Sequence, residues 1–334
     1  MTNPQNSIWT PPIAAPEEGG AGRSTGDITE WRRLNMRVCQ IGAANNWSKA
    51  EAARRIGMAE GTFHQWLSGS YAGRFDTMNT RVAQWLAAVE EMEGLAASIP
   101  ESPPFFETRT SAEIINALLY AQMLPELAVI TVAAGMGKTV TCEHFRDSRP
   151  HVFIATMSPN TRTVHGMLTE IAAAVGVVQH NPAKLHRAIG ERLQRNGRKT
   201  LLIVDEAQNL CDQAIDQVRG LLDQNRCGIA LVGNEEIYTR FTKRQDGPAY
   251  AQIKRRFGKR LRRAHPYPED IEASIDAWGV TDPAARKLLT GIGNKPGALG
   301  QIDKTMRLAG QMAAGAEITE RLIRAAWSNR AVED

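Results

Sequence analysis

The chain reads as an α/β protein: a parallel-sheet domain with an all-helical domain before it and a helical segment after it. Three observations predict this. Residues 31–95 carry helical periodicity without strand-like alternation. From about residue 111, four compact runs rich in β-branched residues alternate with amphipathic stretches: "LAVITVA" (127–133), "HVFIATM" (151–157), "TLLIVDE" (200–206) and "GIALVG" (228–233). Beyond about residue 266 the pattern returns to helix. Unbroken apolar runs are how strands read when both faces of a parallel sheet are covered, and the order β-α-β-α-α-β-α-β is that of an α/β domain.

The remaining segments follow from composition. Residues 1–30 are rich in Pro, Gly and small polar residues and lack the basic start and apolar core of a secretory signal, so they are expected to be a disordered arm. Residues 31–95 form the N-terminal helical domain. The prolines of "SIPESPPFFETRT" (98–110) cannot continue a helix and place a linker over 96–110. The α/β core then spans 111–265 and the C-terminal helical domain 266–334. A length of 334 residues suits two or three domains, and 43% hydrophobic with 23% charged residues is ordinary for a soluble globular chain. No apolar run reaches bilayer length, so no membrane partner is expected. Cys39, Cys142, Cys211 and Cys227 are scattered, which reads as buried free thiols in a reducing cytoplasm. The net charge of +4 is modest, but "KRRFGKRLRR" (254–263) carries seven cations and no acid. That run reads either as a DNA-facing patch or as a solvated helix face.

"SKAEAARRIGMAEGTFHQWLSG" (48–69) has helix-turn-helix spacing. Ser48 and Glu51 are set as a capping box, Ala53 is small where helices must approach, and Gly57 supplies the turn. Ile56, Met58, Phe63 and Trp66 take the core positions. The second helix then presents Glu60, Thr62, His64, Gln65 and Ser68 outward toward a DNA major groove. Arg54, Arg55 and Arg74 are placed to meet phosphates, whereas Tyr71 and Phe75 read as packing residues.

"TVAAGMGKTV" (131–140) ends like the phosphate loop G-x-x-x-x-G-K-[ST] but has Val132 in place of the first glycine. An apolar strand leads into Ala134, Gly135, Met136 and Gly137, and a helix can start at Lys138-Thr139-Val140. Backbone N–H groups there are suited to surround a β-phosphate, Lys138 to neutralise it, and the Thr139 hydroxyl to bind Mg²⁺. In "LLIVDEAQNL" (201–210), Asp205 and Glu206 stand at a strand's C-terminal tip, the edge where open α/β sheets bind ligands. Asp205 is expected to hold Mg²⁺ through water, and Glu206 to polarise the attacking water. Asn234, ending "IALVGN", is placed to sense the γ-phosphate of ATP.

Taken in order, "GMGKT", "VDEAQNL", "LVGNEEIYTR" and "YAQIKRRFGKRL", preceded by a helix-turn-helix, resemble the AAA+ ATPases of DNA transposition, the Mu B-type target-selection family. The resemblance spans roughly residues 30–330. It implies an AAA+ core with a C-terminal helical lid, and an ATP-dependent homo-oligomer or helical filament on double-stranded DNA. Such an assembly stimulates a separate transposase in a bacterial host cell. It also implies an arginine reaching into the neighbouring subunit's site, at Arg256 with Arg255 as second choice. Where the family's lid offers an arginine to nucleotide, "GALGQIDK" has Gly300, and Lys304 one turn on is the candidate substitute. Two other classes remain open: a DEAQ-type ATPase for replication loading or secretion, and a nucleotide-sensing DNA-binding regulator.

Overall fold

The computed structural model describes residues 9–19, 22–195, 199–237, 239 and 257–330. It divides into two compact units, residues 1–98 and 99–334.

The first unit contains α1 (Thr25–Ala44), α2 (Lys49–Ile56), α3 (Glu60–Ser68) and α4 (Phe75–Ser98) around a core of Trp31, Leu34, Val38, Phe63, Trp66, Phe75 and Val82. A buried indole N–H must find an acceptor, and these acceptors fix how the helices cross. Trp31 Nε1 donates to the Trp66 carbonyl at 2.8 Å, and Trp66 Nε1 donates to Asn79 Oδ1 at 3.0 Å. Asn35 Nδ2 adds a bond to the Leu67 carbonyl at 2.7 Å. The expected disordered arm over 1–30 does not hold for its described part. Trp9 is buried in this core and donates to the Trp47 carbonyl at 2.8 Å, and a Cβ on Gly42 would collide with its ring. Helix α1 starts at Thr25, where Ser24 and Asp27 form a reciprocal capping box. Composition hid this because a few residues, Trp9, Ala15 and Arg23 among them, anchor a stretch otherwise rich in Pro, Gly and small residues.

The second unit opens with α5 (Arg109–Met123), followed by β1 (Leu127–Val132), α6 (Lys138–Asp147), β2 (Val152–Thr156), α7 (Val164–Val175), α8 (Pro182–Arg195), β3 (Leu201–Asp205), α9 (Asp212–Asn225), β4 (Gly228–Gly233) and β5 (Phe257–Arg263). The sheet is parallel with order β2-β3-β4-β1-β5. β1 is buried at every position: Leu127 and Val129 face the core shared with α7, α8 and α9, while Ala128, Ile130 and Val132 face α5 and α6. Alternation of side chains across a pleated strand requires this split. Cys39, Cys142 and Cys227 are buried free thiols, as expected, but Cys211 is only half-buried.

The helical reading of the basic run is corrected: Phe257–Arg263 is a fifth strand, at the sheet edge beside β1. Its register slips at Gly258, so that Leu127 faces Phe257 and Ala128 faces Lys259. Of the later positions, Leu261 packs inward on the α5–α6 side and Arg263 bonds to Glu113 of α5. An edge strand needs few apolar residues, and lysine and arginine there also discourage strand addition. Residues 254–256 of the run lie outside the described residues.

The unit ends with α10 (Pro268–Ala277), α11 (Pro283–Gly293), α12 (Ala298–Ala313) and α13 (Glu320–Asn329), packed around Ile271, Ile275, Leu289, Ile302, Met306 and Ile323. Asp270 of α10 ties this lid to the core. Its fully buried carboxylate accepts from the Arg109 amide at 2.7 Å, the Thr110 amide at 3.3 Å and the Thr110 hydroxyl. The free amides at the start of α5 and the positive end of its dipole are thereby met by one buried acid. Among the described residues, no helix is long and apolar enough to cross a membrane. Replacing Asp270 by Ala leaves three donors without acceptors, the two of Thr110 buried, so unfolding free energy should fall by about 2–4 kcal/mol. Urea denaturation monitored by circular dichroism measures this; a loss below about 0.5 kcal/mol would show that Asp270 does not anchor the lid.

Candidate nucleotide site

The site is built where β1 and β3 end. Parallel strands deliver their C-terminal tips to one edge of the sheet, and β1 lies at the switch point where the chain turns from the β4 side to β5. After Val132 the backbone enters a tight loop in which Gly135 (φ 76°) and Gly137 (φ 78°) adopt left-handed conformations that L side chains avoid. Gly137 is also the N-cap of α6, so the amides of Lys138, Thr139 and Val140 open the helix. Val132 itself is the last residue of β1, pairs with Arg263 and is fully buried. A glycine is therefore not needed at the loop's entry in this chain, and Val132 serves the core.

Lys138 is 8% exposed; its Nζ donates to the Val132 carbonyl at 2.8 Å and the Ala133 carbonyl at 3.2 Å. Burial lowers its pKa, while Glu206 and Asp205 act in the opposite direction. Asp205, at the tip of β3, is fully buried; Oδ2 accepts from Thr139 Oγ1 at 2.9 Å and Oδ1 from the Glu206 amide at 2.8 Å. Two sequence signals 66 residues apart thus meet in one hydrogen bond. Glu206 takes a left-handed backbone conformation (φ 53°), and its carboxylate accepts from Gln208 Nε2. The other end of the Gln208 amide accepts from the Asn234 amide at 3.3 Å. Gln208 therefore bridges Glu206 and Asn234. Sequence reading passed over it, although its place two residues past the carboxylate pair was a usable signal.

A cleft of about 450 Å³ lies over the loop. Its walls include Ala134–Thr141 and Glu206, the segment Ser102–Phe106 with Thr108 and Ser111, Ser274 and Trp278 of α10, and Leu299, Gly300 and Asp303 of α12. The expected linker is thus corrected in its role: residues 102–106 are cleft wall, with Phe105 stacked on His144 at 3.8 Å between ring centroids, and α5 begins at Arg109 behind a Thr108–Ser111 capping box. The lid touches the loop directly. The Gly300 amide donates to the Gly135 carbonyl at 2.9 Å, and a Cβ at 135 would run into the Gly297 carbonyl. Lys304 is exposed and does not line the cleft; Asp303, one position earlier, does. Arg255 and Arg256 lie outside the described residues.

The residues present fit a magnesium nucleotide. Mg²⁺ usually takes one or two protein oxygens together with phosphate and water, and Thr139 with Asp205 offers such a pair beside the loop. No fuller cage of His, Cys, Asp and Glu exists among the described residues.

In the first unit, Gly57 (φ 76°) turns α2 into α3, and Ile56, Met58, Phe63 and Trp66 are buried as the spacing requires. Glu60, His64, Gln65 and Ser68 are exposed on α3, and Thr62 is half-buried. Ser48 accepts from the Glu51 amide at 3.1 Å, but the reciprocal half of the capping box is absent because the Glu51 carboxylate binds Arg54 and Arg55. Arg55 also stacks over Trp47, and Arg74 pairs with Asp76.

A loop bonded to a buried strand-end aspartate, in a β2-β3-β4-β1-β5 sheet under a helical lid, defines a P-loop domain of the AAA class; residues 122–241 match the family model "AAA domain". Residues 255–329 match the model "Mu B transposition protein, C terminal". The chain belongs to the Mu B transposition protein family. It is 30% identical over 267 residues to the "ATP-dependent target DNA activator B" of Escherichia phage Mu, covering 79% of this chain and 84% of that protein. It is 31% identical over 263 residues to "Mu-like prophage FluMu DNA transposition protein B" of Haemophilus influenzae, covering 77% and 90%. In fold alone it resembles the Cdc6p structure from Pyrobaculum aerophilum, with TM-score 0.52, 15% identity and 69% of each chain covered.

Val132→Gly, which completes the loop consensus, should weaken the protein. It removes a fully buried side chain from a central strand, at a cost of about 2–4 kcal/mol. Denaturant titration tests this, and unchanged stability would contradict Val132's place in the core.

Proposed function

We propose that the protein is an ATPase that binds double-stranded DNA, oligomerises on it with ATP, and delivers it as target to a partner transposase in the cytoplasm of a bacterial host. The observation that carries the nucleotide half is the Thr139–Asp205 hydrogen bond, which brings the metal-binding hydroxyl and carboxylate beside the phosphate loop. Lys138 leaves its carbonyl partners to neutralise the β- and γ-phosphates, and the loop amides from Ala134 to Val140 hold them. Thr139 and Asp205 would hold Mg²⁺, which would supply charge neutralisation at the phosphates. Glu206 orients and deprotonates the attacking water, with its carboxylate aimed by Gln208, whose side-chain oxygen also accepts from the Asn234 backbone amide, and the Asn234 side chain senses the γ-phosphate. Arg256 of a neighbouring subunit compensates transition-state charge in trans.

The DNA half rests on α3, whose exposed Glu60, His64, Gln65 and Ser68 with half-buried Thr62 form the reading face of the helix-turn-helix. The relatives' names support the same reading, since that of phage Mu is called an ATP-dependent target DNA activator. The test is ATP turnover with and without duplex DNA, in wild type and in Glu206→Gln. Turnover should rise on DNA in wild type and fall at least about 100-fold in the variant. ATP binding should be unaltered, and the DNA-bound assembly should persist longer. Equal turnover in both proteins would remove Glu206 from the chemistry, and turnover indifferent to DNA would contradict the coupling.

A further inference from the structure

We infer that Asp303 sets the charge selectivity of the cleft, opposing any polyphosphate that arrives without its divalent cation. The inference rests on the nucleotide reading above. Its basis is the way α12 meets the loop. Gly300 lies against Gly135, with its amide bonded to the Gly135 carbonyl and the site of its missing Cβ 3.3 Å from the Gly135 Cα. Residues three apart on a helix share a face. Asp303 is therefore carried on the loop-facing side of α12, one turn beyond Gly300, and it lines the cleft together with Gly135, Gly137 and Lys138.

Its carboxylate has no ion pair or hydrogen bond among the described residues. Lys304 and Arg307, the nearby cations on the same helix, are exposed. Lys138 is the one cation lining the cleft among the described residues, against the carboxylates of Glu206 and Asp303, with Asp205 behind Thr139. A metal-free nucleoside triphosphate brings about four negative charges toward those carboxylates, and like charges at short range repel. Complexation with Mg²⁺ removes two of those charges. The lid can rest on the loop over the complexed nucleotide, but its Asp303 repels the bare one. A neutral side chain at 303 lifts that distinction without touching the groups that hold phosphate.

The test uses the full-length protein, with ATP in excess Mg²⁺ and ATP in EDTA, by isothermal titration calorimetry. Asp303→Asn should bind metal-free ATP about tenfold more tightly than wild type and change affinity for the magnesium complex less than about threefold. Lys304→Ala, on the outward side of the same turn, should alter neither. If wild type binds magnesium-ATP but Asp303→Asn binds metal-free ATP no better, the selectivity role is wrong and the nucleotide site stands. If Lys304→Ala gives the same gain, the effect belongs to α12 generally and the inference also fails. If wild type binds ATP in neither condition, both readings fall together.

Discussion

The hydrogen bond from Thr139 to Asp205 is the constraint on which the site depends. It joins the first turn of α6 to the tip of β3, two strands away across β4, and it closes only at the observed offset between the ends of β1 and β3. The register fixes that offset: Val204 and Val129 both sit level with Leu231, so β1 runs on past Asp205 before the loop begins. A one-residue slip in either strand would turn its apolar side chains to the wrong face, so core packing and site geometry enforce one another. Asp205 is fully buried, which is tolerable for a carboxylate because the Thr139 hydroxyl and the Glu206 amide bind its two oxygens.

Around this bond the cleft is held by contacts between elements far apart in sequence. Asp270 fastens the lid at the base of α5, and Gly300 fastens it at the loop. Arg263 and Arg109 stack over Tyr267 at 4.0 and 3.9 Å, while Arg263 pairs with Glu113 at 3.1 Å. The last cation of the basic run, Arg263, is thereby spent on joining β5, α5 and the N-cap of α10. Lys138 is held by two backbone carbonyls, acceptors that on the proposed reading it exchanges for phosphate when nucleotide enters. The binding groups are thus already in place but bonded to each other.

The α/β class, the loop, the Asp205-Glu206 tip and the helix-turn-helix core were legible because each rests on local regularity: apolar runs, glycine spacing, and small residues at turns. β5 was not, since an edge strand buries little and its four cations, Lys259, Arg260, Arg262 and Arg263, masked its alternation. Trp9 and Asp270 were missed because their partners lie 38 and 160 or more residues away, where pattern reading has no reach. Gln208 and Asp303 were missed for a related reason. Their roles come from the surfaces they meet, whereas Lys304, chosen by chain position, turns outward on the helix.

The central claim is that Thr139 and Asp205 form a metal seat completed only by nucleotide. Titration with Mn²⁺ in place of Mg²⁺, followed by electron paramagnetic resonance, tests it most directly. The account predicts about one bound Mn²⁺ per chain with ATP present, little without it, and loss of that signal in Asp205→Asn. Stoichiometric Mn²⁺ binding without ATP, or an undiminished signal in Asp205→Asn, would contradict it.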